Sequence, residues 1–83
     1  MKNYKYVWSY EFDDEMTAKL AEMSILTQFA MFIKLFGVVD KDGVNFERTL
    51  NVINVYSDHE EFKHTVENIF IPEFMDIMTE MDK

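Results

Sequence analysis

From Asp14 to Phe36 the chain contains neither glycine nor proline; the acidic run Asp13, Asp14, Glu15 stands at the head of the stretch and Gly37 closes it. Carboxylates suit a helix N-terminus, where they accept from free amides and meet the positive end of the helix dipole, and glycine suits a helix end. The stretch is therefore expected to form one long helix over Asp14 to Phe36. At helical pitch, Met16, Leu20, Met23, Ala30 and Met31 gather on one side, and Ile25, Phe29, Phe32 and Phe36 on nearly the opposite side. Two apolar faces need two coverings, yet 83 residues leave room for a single domain spanning 1–83. The second face must be covered by another element or by a second copy of the chain. A homodimer through Met23, Leu26, Met31 and Leu35 is the expectation.

The other elements follow from local pattern. Tyr4, Tyr6, Trp8, Tyr10 and Phe12 alternate with Lys5, Val7, Ser9 and Glu11, the period of a strand with one apolar face. After Gly37, Val38 and Val39 lead into Asp40-Lys41-Asp42-Gly43, a composition that suits a tight hairpin turn. Residues 46–56 are rich in Thr, Val and Ile, with Phe46, Leu50, Val52 and Tyr56 at even spacing, which favours a strand over a helix capped by Asn45. Ser57 and Glu60 have capping-box spacing, which predicts a helix running to about Phe70. Pro72 should then kink or break it. The expected fold is α+β in two layers, β-α-β(β)-α: a small antiparallel sheet packed by a long helix and a Pro-kinked C-terminal helix.

Composition removes several function classes. With no cysteine, two glycines and one proline, the chain is no disulfide scaffold, no Cys-ligated zinc module and no P-loop enzyme. A net charge of −8 opposes direct contact with nucleic acid or an anionic membrane. The first fifteen residues lack the apolar region of a secretory signal, so a cytoplasmic protein is expected.

The chemical motifs fail on spacing. Counted from Asp40, an EF-hand loop would place Val44 at position five, Asn45 at position six and Asn51 at position twelve, where oxygen ligands, glycine and a carboxylate are needed. His59 and His64 are five residues apart rather than four, so one helix face cannot offer both to a zinc ion. Glu60, His64 and Glu67 share a face, but a solvated polar face accounts for them better than a metal site. Ser9, Ser24 and Ser57 stand in no nucleophile context, and no carboxylate pair is marked for acid and base roles. Neither catalysis nor a cofactor is expected.

Charge placement is more informative. Residues 58–83 carry a net charge of −6 against −2 for residues 1–57. Glu73, Asp76 and Glu80 follow one side of a helix, and Glu60 and Glu67 one side of the preceding helix. Such an array can occupy a basic cleft in place of a nucleic-acid backbone. The expected function is a non-enzymatic acidic protein that inhibits or regulates a basic partner, of the kind nucleic-acid-binding proteins provide. Small acidic inhibitors encoded by phages and mobile elements share this composition. The alternative is a small-ligand binder that builds an aromatic pocket at a homo-oligomer interface from Tyr6, Trp8 and Tyr10.

Overall fold

The computed structural model describes residues 3–36 and 43–81. The elements run β1 (Tyr6–Glu11), α1 (Glu15–Phe36), β2 (Val44–Thr49), β3 (Val52–Ser57), α2 (Phe62–Thr65), a π-helical segment (Val66–Phe70) and α3 (Ile71–Met81). The three strands form one antiparallel sheet in the order β1-β3-β2. The sheet packs beneath the helices, so the α+β two-layer architecture read from the sequence is the observed one. The hairpin turn expected over Asp40 to Gly43, the residues Val38 and Val39 that lead into it and the opening of the rejected calcium loop lie outside the described residues, Gly43 excepted.

Helix α1 begins as its acidic head dictates. The backbone N–H of Thr17 donates to Asp14 Oδ1 at 2.7 Å, and that of Ala18 to the Asp14 carbonyl at 3.1 Å. Asp14 is thus the N-cap, and the hydrogen bond from Thr17 holds its carboxyl below the usual carboxylate range.

The hairpin differs from its sequence reading. Residues 46–56 form two strands instead of one, joined by a turn at Leu50 and Asn51. Pairing of Phe46 with Val55 and Arg48 with Ile53 matches even positions to odd ones. The expected face of Phe46, Leu50, Val52 and Tyr56 is therefore split between the two sides of the sheet. Leu50 carries the turn at φ 56°, a left-handed conformation that usually falls to glycine and costs a leucine of order 1 kcal/mol. The Arg48 Nη1 donates to the Leu50 carbonyl at 3.0 Å, and Asn51 Nδ2 to the Phe12 carbonyl at 2.7 Å. The first bond closes the turn on β2 and the second ties it to the residue that follows β1, without a glycine.

One sheet face presents Tyr6, Trp8, Tyr10, Val44, Phe46, Arg48, Ile53, Val55 and Ser57 toward the helices. The core joins Ile53 and Val55 to Ala21 and Ile25 of α1 and to Phe62, Val66, Phe70 and Phe74. Its phenylalanines meet edge to face: Phe29 lies 5.4 Å from Phe46 and 5.7 Å from Phe62, and Phe70 lies 6.0 Å from Phe62 and 6.3 Å from Phe32. Each pair adds about 0.5–1.5 kcal/mol beyond area burial.

Ser57 caps no helix. It ends β3 fully buried, its Oγ accepting from the His59 N–H at 2.9 Å and donating to the His59 carbonyl at 3.0 Å. A hydroxyl committed to the chain two residues on cannot also serve a capping box. Helix α2 accordingly starts only at Phe62, after a turn at Glu60 and Glu61. The irregularity expected at Pro72 appears just ahead of it, as the π segment, where the Ile71 N–H reaches back five residues to the Val66 carbonyl. Ile71 keeps right-handed helical angles (φ −68°, ψ −46°), so the bias of a residue before proline toward extended backbone is overridden here. The helical trace passes through Pro72 by widening one turn instead of ending.

Candidate functional site

Ile25 on the sheet side of α1 is 1% exposed, whereas Met23 and Met31 on the other side are 64% and 56% exposed. Helix α3 runs beside that second side without closing it, and a groove of about 440 Å³ remains between them. From α1 it is lined by Leu20, Met23, Ser24, Thr27, Gln28 and Met31, and from α3 by Glu73, Phe74, Ile77, Met78 and Met81. Of the first face read from the α1 sequence, Ile25, Phe29 and Phe32 pack at the core; of the second, Leu20, Met23 and Met31 line the groove, and Met16 and Ala30 do not. Four of the lining residues are methionines, whose unbranched thioethers can repack around differently shaped apolar guests.

The groove floor is tied together by Gln28. Its Nε2 donates to Ser24 Oγ at 3.1 Å and to the Phe70 carbonyl at 2.9 Å, linking α1 to the π segment. Thr27 Oγ1 donates to the Met23 carbonyl at 2.8 Å. The hydroxyl and amide groups in the lining therefore already have partners within the fold.

Acidic residues follow one side of the groove. Glu73, Asp76 and Glu80 are exposed and, with Ile77 and Met81, line an adjoining shallow depression of about 390 Å³. Spacings of three and four place them on one strip of α3, as the sequence reading expected. Glu60 and Glu67 do not extend that strip as one helical face, because Glu60 lies in the turn before α2 and Glu67 in the π segment. Glu67 is engaged elsewhere: Tyr10 Oη donates to its Oε2 at 2.8 Å. Burial, that bond and the Glu67 charge push the Tyr10 phenol well above its ordinary range.

The other aromatic candidates also turn inward on the fold. The rings of Tyr6 and Trp8 stack at 5.8 Å with 2° between their planes, so each covers a face of the other. Arg48, the only arginine in the chain, was not singled out by sequence. It lies beneath α1, its Nε 3.4 Å from Glu22 Oε1 and its Nη1 3.7 Å from Glu15 Oε1. A polar residue at an inward strand position was the available signal. Among the described residues no three His, Asp or Glu side chains are grouped to hold a metal ion, and Asn68 Nδ2 donates to His64 Nδ1 at 3.2 Å. No helix among them is long and apolar enough to cross a membrane.

Comparison with known proteins gives no matching family, no matching curated protein and no matching solved structure.

Proposed function

We propose that this chain is a non-enzymatic acidic binding protein that inhibits or regulates a partner with a basic surface, nucleic-acid-binding proteins being the class that offers such surfaces. The observation that carries this reading is the exposed strip of Glu73, Asp76 and Glu80 beside an apolar groove on the same helix. Three aligned carboxylates steer a cationic surface toward the protein, and uncovered apolar side chains supply the lasting contact. The aromatic-pocket alternative has less support, because Tyr6 and Trp8 stack on one another and the Tyr10 hydroxyl is held by Glu67.

The test is kinetic. Basic proteins recovered from the native host on the immobilised chain are purified, and their association rates measured across salt concentration and against duplex DNA as competitor. Association that slows with salt and is blocked by DNA supports the reading. Association indifferent to salt, or DNA and this chain bound together, overturns it.

A further inference from the structure

The groove also constrains the shape of its guest. Both walls are α-helices, whose backbone N–H and C=O groups are bonded along their own axes. An extended segment laid in the groove would find no main-chain partners there, whereas a helix arrives with its own backbone satisfied. Along α1 the lining extends from Leu20 to Met31, a rise of about 16 Å or three turns. That length suits one short helical segment.

The charges choose the guest's polar face. The α3 side carries Glu73 in the lining, with Asp76 and Glu80 on the adjoining strip, while the α1 side of the lining is uncharged. A second copy of a chain of net charge −8 would bring carboxylates toward carboxylates, which disfavours it as occupant. We infer that the groove between α1 and α3 binds a cationic amphipathic helix of about three turns, with its apolar stripe on the methionines and its lysines or arginines over the acidic strip of α3. This rests on the acidic-docking reading and specifies the part of the partner that is recognised.

The experiment uses two labelled peptides of about 14 residues, both built only from leucine and lysine in equal composition. In one, leucines recur at i, i+3, i+4 and i+7; in the other, the same residues are scrambled. Fluorescence anisotropy is read at low salt against the parent chain and against Met23→Glu/Met31→Glu. Both sites are exposed, and circular dichroism verifies the fold of the variant. The ordered peptide should bind the parent at least about tenfold more tightly than the scrambled one, and the double variant should abolish that preference. The variant adds two negative charges, so pure electrostatic attraction predicts the opposite, a gain in affinity for both peptides. Equal binding of both peptides overturns the helix-in-groove inference and leaves the acidic-docking reading standing. Binding of neither peptide overturns both. Light scattering that finds a parent dimer and a monomeric double variant assigns the groove to a second copy and overturns the inference too.

Discussion

The two faces of α1 are made of different material. Toward the sheet stand Ala21, Ile25, Phe29 and Phe32, small, branched or aromatic, and they join a core whose partners, such as Phe46, Phe62 and Phe70, have fixed geometry. Toward α3 stand Leu20, Met23 and Met31, beside Met78 and Met81, and much of that surface stays uncovered. Ser24, Thr27 and Gln28 also line the second face, but their polar groups are bonded within the fold, so the side chains left open to a guest are mainly apolar and polarity alone does not separate the two faces. Rigidity does: stiff side chains specify one packed arrangement, whereas flexible ones tolerate several guests. On this view the first face encodes the fold and the second the docking site.

Breaking the rigid face should produce the largest effect. Phe70 is 1% exposed and touches the rings of Phe32 and Phe62, and Phe70→Ala should cost about 3–5 kcal/mol in urea unfolding. Met23→Ala, on the open face, should cost well under about 1 kcal/mol. Comparable losses at the two sites would erase the distinction.

Next in size is charge reversal at the rim. Glu73→Lys, Asp76→Lys and Glu80→Lys together should slow association with a basic partner roughly tenfold or more at low ionic strength, and the difference should shrink with salt. Thermal melting should change little, because all three positions are exposed. An unchanged association rate at low salt would reduce the strip to a solubilising surface.

Tyr10→Phe probes the seam between sheet and π segment, where the expected loss is about 1 kcal/mol for the bond to Glu67. Its pH dependence is a sharper readout. The folded phenol is raised above its unfolded value, so its contribution is fully present below the unfolded pKa and is lost as pH rises through and beyond it. The parent should therefore lose more stability at alkaline pH than Tyr10→Phe does. Asp14 has the opposite sign: its depressed carboxyl stabilises the fold above the unfolded pKa, and that help fades as pH falls through the folded one.

The smallest effect belongs to the hairpin. Leu50 is exposed and carries φ 56°, so Leu50→Gly should relieve strain and raise stability by no more than about 1 kcal/mol, after the entropy glycine adds to the unfolded chain. Peptide binding at the groove should be unaffected.

Legibility followed the strength of local signals. The alternation around Trp8 and the acidic head at Asp14 mark β1 and α1 because period and capping act within a few residues. The turn at Leu50 and Asn51 was invisible, since its left-handed residue is a leucine stabilised by Arg48 and by pairing with β3, contacts that exist only after folding. Ser57 and Glu60 have capping-box spacing, but the buried strand end claims the serine hydroxyl. The second apolar face of α1 was readable from Met16, Leu20, Met23, Ala30 and Met31, and so was its need for a covering element; that α3 would stand beside it and still leave a groove open was not. The acidic strip was legible because Glu73, Asp76 and Glu80 lie on one regular helix, whereas Glu60 lies in the turn before α2 and Glu67 in the π segment, so no single regular helix aligns those two.

Methionine oxidation tests the division between a folding face and a docking face most directly. Met23, Met31 and Met81 are exposed in the groove, while Met16 and Met75 are exposed outside it. The chain is treated with dilute hydrogen peroxide, free and saturated with the ordered leucine-lysine peptide, and sulfoxide formation is followed at each site by mass spectrometry. The account predicts rapid oxidation of all five in the free chain, and slowing at Met23, Met31 and Met81 alone when the peptide is bound. Slowing spread evenly over Met16 and Met75 as well, or no slowing at the groove under saturation, would contradict it.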